Sequence, residues 1–252
     1  MVKVIKNRKA LRKKTSHASR KEYIDLIKQI LYSKDFFLNL FNTYNASRFK
    51  TELLKISKNS ILHIARSIDL TEKHMEKILN ITRDNMKTLY DTNPWGDIWS
   101  QGWDDNLKMG ELSHEMCNYI IIYEKEINDT NIVNIDDHMS DIGFHGGLSS
   151  DINVLSFLSF RFELEDSIDS FNRITVGYMY ELQSTIKGKG YGKLLLDILR
   201  FICQQLQVSK IMCTVLRKNI DAIRFYTTKC GFCLDKTSPT SEPYIILSLN
   251  TG

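Results

Sequence analysis

The segment of the sequence with the clearest chemical meaning is residues 187–193, which read KGKGYGK. It follows a stretch with the pattern of a strand and precedes leucines and isoleucines at helical spacing, so it leads from a strand into a helix. Glycines allow successive backbone N–H groups to converge on one point, and the start of a helix adds a partial positive charge. The segment therefore predicts an anion site, most often one for phosphate, with a plain strand-to-helix turn as the alternative.

Two common phosphate motifs do not fit this segment. A P-loop requires four residues between its first glycine and Gly-Lys-Ser/Thr, and no serine or threonine follows Lys193. The spacing of a dinucleotide-binding fingerprint, G-x-G-x-x-G, is also missing here, and the segment comes late in a mixed pattern of helices and strands. The glycines by themselves therefore leave the ligand open.

The elements that must position this segment are predicted from apolar spacing. A long helix is expected after Thr71, which can cap its first turn, and it should end by Asn93 because Pro94 disfavours helical geometry before it. Further helices are expected at 192–206 and 219–229. Strands are expected at 61–64, 119–123, 154–162, 174–183, 210–215 and 244–249.

Helices alternating with strands predict one α/β (α+β) domain over residues 61–252. A helical segment at 21–60 and a disordered basic tail at 1–20 are expected before it. The acidic, glycine-rich residues 128–150 are expected to form an exposed loop inserted into the domain.

Charge separates the tail from the rest of the chain. The 252 residues carry a formal net charge of +4, but the first 21 hold nine Lys or Arg and no acid, so the remainder is net acidic. We expect the tail to make at most weak electrostatic contact with ribosomes or nucleic acid.

Composition also limits the cellular compartments in which the protein is expected. The five cysteines are odd in number and show no paired framework, and no apolar run reaches the roughly 18 residues of a membrane span. We therefore expect a cytoplasmic and nuclear monomer that contacts no membrane. Cys230 and Cys233 form a C-x-x-C, for which packing is the favoured interpretation and metal or redox use the alternative; no metal site is predicted.

A second motif downstream narrows the ligand. A strand ending at Thr214 is followed by Asn219-x-x-Ala222-x-x-Phe225-Tyr226 and then by Gly-Phe five residues on. In this order and at this distance from 187–193, the pattern resembles the GNAT superfamily of N-acetyltransferases. The resemblance implies the GNAT fold, a mixed twisted sheet flanked by helices, and acetyl-CoA as the acetyl donor, with CoA as product.

A narrower resemblance covers about residues 60–250. Residues 86–90 followed by Trp95-Gly96, then 160–165, 178–183 and Ser-Pro before Tyr244, are similar to the N-alpha-acetyltransferase D family. Members of that family acetylate the α-amine of the N-terminal serine of histones H-four and H-two-A, so the resemblance implies histone N-terminal peptides as substrates. A GNAT enzyme that acetylates a lysine side chain or a small amine is the alternative.

The resemblance also implies roles for individual residues. Donor-binding residues would be Leu182, Gln183, Ser184, Gly188, Lys189, Gly190, Tyr191, Gly192, Lys193, Thr214 and Asn219. Substrate-binding residues would be Tyr90, Trp95, Glu163, Glu165, Tyr178, Tyr180 and Tyr244.

Three residues are candidates for the chemistry itself. A free α-amine has a pKa near 8, so a base need only remove the proton from the fraction still charged. Glu181 is the candidate base, acting directly or through water, and Tyr180 precedes it in the same strand. Tyr226 is expected either to protonate the departing sulfur or to pack in the core and against the donor. Glu163 and Glu165 share one strand face and would suit an arginine at the third position of the peptide.

Overall fold

A computed structural model describes residues 43–94, 96, 99–124, 142–143, 153–166 and 173–252, together with the single positions 21 and 25. The predicted tail, most of the 21–42 segment, Trp95 and nearly all of the predicted 128–150 loop lie outside the described residues.

Five helices and eight strands make up the described part of the chain. The α-helices are α1 (Thr43–Ile56), α2 (Glu72–Thr92), α3 (Asp105–Leu112), α4 (Tyr191–Gln205) and α5 (Ile220–Arg224), which runs into a π-helical turn at Phe225–Lys229. The strands are β1 (Ser60–Arg66), β2 (Asn118–Glu124), β3 (Ile142–Gly143), β4 (Val154–Asp166), β5 (Arg173–Ser184), β6 (Lys210–Leu216), β7 (Cys233–Leu234) and β8 (Tyr244–Asn250).

The strands form one mixed sheet in the order β3-β1-β2-β4-β5-β6-β8-β7. All neighbours are antiparallel except two pairs, β1 with β3 and β5 with β6. The six predicted strands are confirmed, and each extends by one to four residues beyond its predicted bounds. Two residues of the region predicted as an exposed loop pair with β1 as β3, so the loop prediction was wrong at that point.

Helices cover both faces of the sheet, because the strands carry apolar side chains on both faces. One core joins α1 and α4 to the sheet through residues such as Phe49, Leu195 and Phe160. The other joins α2 and α3 to the opposite face through Ile78, Leu112 and similar residues.

Local signals explain the start and the end of α2. Thr71 accepts a hydrogen bond from the backbone N–H of His74, whose ring in turn accepts from the Thr71 backbone, which is a capping box. Asn93 closes the helix just before Pro94, as predicted. By contrast, the sequence patterns did not predict α3, an eight-residue helix capped by Asp104.

The predicted helix at 219–229 is only partly α-helical. It is regular over Ile220–Arg224 and then widens into the π-helical turn. None of the described helices is long and apolar enough to cross a membrane.

The central irregularity of the sheet lies in β5. Ser159 of β4 pairs with Glu181, but the next residue, Phe160, pairs with Met179, so Tyr180 has no partner on β4. This one-residue bulge changes the alternation of side chains along β5. As a result Tyr180 and Glu181, although consecutive, both face the side of the sheet that carries α2 and α3.

Strands β5 and β6 separate beyond this bulge. Their parallel pairing covers only three residue pairs, from Gly177 with Ile211 to Met179 with Cys213, although both strands are described in full and continue for several residues. The C-terminal half of β5 is paired with β4 along one edge and presents its other edge to the gap. That open edge is where an extended ligand can hydrogen-bond to backbone groups.

Candidate active site

The glycine-rich segment lies at the mouth of this gap and begins α4. Gly188 and Gly190 have φ angles of +81° and +92°, which side chains other than glycine rarely adopt, and Gly190 is the N-cap. A Cβ at Gly192 would lie 3.4 Å from Phe225 and 3.7 Å from Leu182, so the helix start, β5 and the π-helical turn meet closely here. The structure therefore places the backbone of residues 188–193 at a helix N-terminus, a position that suits the predicted anion site.

Charged side chains of the cradle contribute less than its backbone. Lys193 forms an ion pair with Asp197 one turn along α4, and Lys189 is exposed. The buried side chain of Tyr191 packs into the core beneath the turn. Phosphate recognition in this arrangement rests on N–H groups and the helix start.

The predicted donor-binding residues of β5 lie along the open edge. Leu182 packs on the core, and the Ser184 hydroxyl is 2.7 Å from that of Ser156 on β4. Asn85 of α2 donates to Gln183 Oε1 and to the Ser184 carbonyl, both at 3.1 Å. The end of β5 is therefore held in place by α2 and β4 and leaves its free edge toward β6.

Residues across the gap complete the wall. Thr214 of β6 shares a 2.5 Å hydrogen bond with the hydroxyl of Tyr178. Asn219 accepts from the Ala222 backbone N–H and so caps α5. Both residues lie on the side of the gap opposite β5. The sequence resemblance implies that they flank the donor from this side.

These features fit acetyl-CoA. Its pyrophosphate would lie on the backbone N–H groups of residues 188–193, and its amide-containing arm would run along the open edge of Leu182–Ser184. The absence of a side chain at Gly192 leaves room beside Leu182 and Phe225. When bound there, the donor supplies an acetyl thioester as the electrophile.

Tyr226 lies in the π-helical turn and is buried. Its ring packs against Phe225 and Phe232, with centroids 5.3 Å and 5.4 Å apart. Burial, with added effects of Cys213 and Glu181, raises the pKa of Tyr226 well above its usual value, so the phenol keeps its proton. The ring is therefore packed in the core, and a role of Tyr226 in protonating the departing sulfur stays a prediction.

Glu181 is the centre of a buried polar network. It is only 6% exposed, and its Oε1 accepts from Lys108 Nζ at 2.9 Å while Oε2 accepts from Gln183 Nε2 at 2.7 Å. Because Asn85 holds the oxygen of the Gln183 amide, the nitrogen of that amide is directed to Glu181. Each carboxylate oxygen still has a lone pair available for a further donor.

Lys108, on the unpredicted helix α3, is 1% exposed. Its ammonium also contacts Glu111 Oε1 at 2.9 Å and the hydroxyl of Tyr90 at 3.2 Å. The rings of Tyr90, Trp99 and Trp103 lie around it, with centroids 4.7 Å to 5.8 Å from Nζ. Tyr90, a predicted substrate residue, is therefore buried and faces this ammonium.

Burial and charge act in opposite directions on this lysine. Burial alone would lower the pKa of Lys108, but Glu181, Tyr90 and Glu111 outweigh it and raise the pKa above its usual value. Glu111 has a raised pKa because burial and the charge of Glu181 exceed the effect of Lys108. The network thus contains a fixed positive charge between two carboxylates.

A second cluster lies next to the network on the same face. The Tyr180 hydroxyl donates to Glu163 Oε1 at 3.1 Å, and the guanidinium of Arg161 lies 4.2 Å from the Tyr180 ring centroid. Arg161 is itself held by Cys117 Sγ and by the carbonyl of Glu111. The rings of Tyr178 and Tyr180 are 5.5 Å apart.

The remaining predicted substrate residues differ in what the structure says of them. Glu165 is half-buried, and burial together with the charge of Glu163 raises its pKa. Tyr244 packs at the edge of a small apolar cluster with Tyr90, Trp99 and Leu216. Trp95 lies outside the described residues.

Sequence reasoning missed Lys108, Glu111, Arg161 and Asn85. The segment DNLKMGEL does not indicate a buried lysine, because a lysine and a glutamate three residues apart also occur on solvated helix faces. Arg161 lies within residues 160–165, where only the two glutamates were assigned a role. Among the described residues, no group of three or more His, Cys, Asp or Glu is placed to hold a metal ion.

Comparison with known proteins agrees with this geometry. The acetyltransferase (GNAT) family model matches residues 114–232, which run from the end of α3 to the turn after Tyr226. Together with the mixed sheet, the separated strands and the glycine-rich helix start, the match shows the GNAT fold and supports acetyl transfer from acetyl-CoA. The predicted fold class is confirmed.

Solved structures similar to this chain include several acetyltransferases. Arabidopsis thaliana NAA60 in complex with a bisubstrate analogue has 13% identity and a TM-score of 0.46, covering 75% of this chain and 98% of that one. The PaiA N-acetyltransferase of Thermoplasma acidophilum in complex with coenzyme A has 14% identity and a TM-score of 0.45, with coverages of 75% and 98%. The NatC complex bound to Gag peptide and CoA has 14% identity and a TM-score of 0.42, again with coverages of 75% and 98%.

Proposed function

We propose that this protein is an N-alpha-acetyltransferase that transfers the acetyl group of acetyl-CoA to the α-amine of the N-terminal serine of histones H-four and H-two-A. The observation that carries the proposal is the bulge at Tyr180, which puts Tyr180 and Glu181 on one face beside Glu163. A proton acceptor, an aromatic wall and acidic side chains for a basic peptide are thereby brought together. The sequence resemblance at residues 86–96, 160–165 and 178–183 supports the same substrate.

Glu181 is the group that removes the amine proton in this proposal. Its carboxylate is held at both oxygens, which fixes its orientation and leaves one lone pair on each oxygen for an ammonium or a bridging water. A positioned carboxylate of this kind contributes roughly 10²- to 10⁴-fold as a general base.

Glu163 and Glu165 account for a basic peptide. Their side chains point to the same face of β4. Burial, and after it the charge of Glu163, raises the pKa of Glu165, so the two like charges repel each other in the empty site. A guanidinium from the third residue of a Ser-Gly-Arg-Gly peptide would offset that repulsion. A fork of N–H donors suits carboxylates better than a single ammonium does.

The test is acetylation of a Ser-Gly-Arg-Gly-Lys peptide with acetyl-CoA, with the acetyl group located by fragmentation mass spectrometry. We expect acetylation at the α-amine, and we expect the same peptide with a blocked N-terminus to remain unmodified. Acetylation of the lysine in the blocked peptide, with none on the α-amine of the free peptide, would contradict the proposal and favour the lysine-directed alternative.

A small-molecule amine is the other alternative. The aromatic residues Tyr178, Tyr180 and Tyr244 would surround a small amine as well as a peptide terminus, and a polyamine could also pair with the acidic residues on β4. A panel of polyamines and amino sugars at equal concentration therefore serves as the comparison. Higher kcat/KM for any of these than for the peptide would reject the histone substrate.

A further inference from the structure

Lys108 is an unusual residue for the wall of an active site. A lysine is almost never fully buried unless it is paired, and this one is 1% exposed with its stem inside an aromatic enclosure. Its ammonium has two carboxylate partners at the same 2.9 Å distance, Glu181 on β5 and Glu111 on its own helix. The two carboxylates are therefore close neighbours that share one counter-charge.

The other groups that interact with Glu181 and Glu111 come from several elements of the fold. Glu181 also interacts electrostatically with the phenols of Tyr90, Tyr119 and Tyr226, which come from α2, β2 and the π-helical turn. Burial raises the pKa of each phenol, so all three stay neutral. On β4, Arg161 interacts electrostatically with Glu111. On β5 itself, Gln183 and Tyr180 are uncharged at neutral pH.

We propose that Lys108 is a positioning residue for acetyl transfer: its buried ammonium orients the Glu181 carboxylate and supplies its counter-charge, and Glu111 competes for the same charge. The proposal rests on the proposed role of Glu181 as proton acceptor. Without Lys108, two carboxylates would face each other in a site with little water, and one of them would take up a proton. The two carboxylates would share that proton, so Glu181 would carry its charge for a smaller fraction of the time and would accept the amine proton less often.

A purely structural role is the competing explanation for the same contacts. Buried ion pairs are often replaceable by apolar residues without loss of stability, so the contacts alone do not decide between the two roles. The roles differ in what they do to protonation. A structural role changes stability or donor binding, whereas a positioning role changes the pH at which Glu181 loses its proton.

Carboxyl-carbon NMR with isotope-labelled glutamate measures this directly in the full-length protein bound to CoA. The Glu181 signal is identified by its disappearance in Glu181→Gln. The titration is followed from about pH 5 to about pH 9. We expect the midpoint of this signal to be higher in Lys108→Met than in the wild type by about one pH unit or more. Lys55→Met, which removes an exposed lysine paired with Glu52 on α1, is the matched control and should leave the midpoint unchanged.

A double variant guards against misfolding of Lys108→Met. Lys108→Met with Glu111→Gln replaces the ion pair by neutral groups and leaves Glu181 as the only carboxylate of the three. Its midpoint should lie above that of the wild type, because the ammonium is gone, and below that of Lys108→Met, because the repulsion is gone. A midpoint equal to that of the wild type in either variant overturns the proposal.

Steady-state kinetics provide a second test of the same prediction. The ratio of wild-type kcat to Lys108→Met kcat, for one acceptor, should fall as the pH rises, since Glu181 regains its charge in the variant. A ratio constant with pH, or a change confined to the KM for acetyl-CoA, would indicate a structural role. The NMR titration needs no acceptor, so it decides the role of Lys108 even if the histone peptide proves not to be the substrate.

Discussion

The hydroxyl of Tyr180 donates to Glu163 at 3.1 Å while the guanidinium of Arg161 lies 4.2 Å from the centre of the same tyrosine ring. The phenol is therefore held between a cation on its face and a carboxylate at its tip. Burial, with the charge of Glu163, raises the pKa of Tyr180, so the hydroxyl stays protonated and keeps donating at neutral pH. Glu163 is in this way fixed in place by a residue next to the proposed base.

Removing this hydroxyl should weaken peptide binding. Tyr180→Phe loses one hydrogen bond to a charged group, which is worth about 1.5 to 3 kcal/mol and corresponds to roughly a 10- to 100-fold increase in the KM for the peptide. Steady-state kinetics at saturating acetyl-CoA measure it. Tyr123→Phe is the control, because the Tyr123 hydroxyl is buried and has no hydrogen-bond partner among the described residues. Equal KM values for wild type and Tyr180→Phe would show that Glu163 does not bind the peptide.

The acidic pair should couple to the arginine of the peptide. We expect Glu163→Gln and Glu165→Gln each to raise the KM for the Ser-Gly-Arg-Gly-Lys peptide by roughly tenfold, the scale of a hydrogen-bonded charge pair. For a peptide with alanine in place of arginine, the same variants should have little effect. A double-mutant cycle over enzyme and peptide gives the coupling energy, and a value near zero for both glutamates would place the arginine elsewhere.

Replacing the proposed base should reduce turnover more than binding. Glu181→Gln keeps the shape of the side chain but cannot take a proton, so kcat should fall by roughly 10²-fold or more. Glu115→Gln, on an exposed glutamate after α3, is the matched substitution and should have wild-type kinetics. Wild-type kcat in Glu181→Gln, with CoA binding retained in calorimetry, would remove Glu181 from the chemistry.

The left-handed glycine at the start of α4 should matter for the donor. Gly190→Ala puts a Cβ where φ is +92° and where Ile56 Cδ1 would be 3.4 Å away. The strain of about 1 to 2 kcal/mol would shift the helix start and weaken CoA binding by roughly tenfold in calorimetry. Gly110→Ala is the control, because Gly110 lies in α3 with nothing within 4 Å of the added methyl group. That variant should bind CoA normally and gain up to about 1 kcal/mol in free energy of unfolding.

The two cysteines of the C-x-x-C should react at different rates. Cys233 is exposed, whereas burial raises the pKa of Cys230 to about 11, so roughly one Cys230 in a thousand is a thiolate at pH 8. Iodoacetamide should therefore modify Cys233 first. The rate at Cys230 should rise about tenfold for each pH unit up to about pH 11.

Time-resolved mass spectrometry of peptides follows both positions, with the buried Cys203 as a thiol that should stay unmodified in the native protein. Alkylation of Cys230 as fast as Cys233 at pH 8 would reveal an activated thiol. That outcome would favour the redox interpretation of the motif over packing.

Local patterns allowed much of the fold to be predicted. The capping threonine and the proline that bound α2, the alternation in six strands and the glycines before α4 all act over a few residues, so their effects can be recognised in the sequence. The order of the two motifs at 187–193 and 219–232 was sufficient to indicate a GNAT acetyltransferase. The predicted donor site depends mainly on backbone geometry, which glycine spacing specifies directly.

The proton-handling part of the site required the tertiary structure. Lys108 and Glu181 are separated by 73 residues in sequence, and nothing in α3 distinguishes a buried lysine from a solvated one. The bulge at Tyr180 is equally hidden, because strict alternation along β5 would have put Tyr180 and Glu181 on opposite faces of the sheet. An ion pair depends on which elements pack together, so its existence is decided only when α3, β4 and β5 meet.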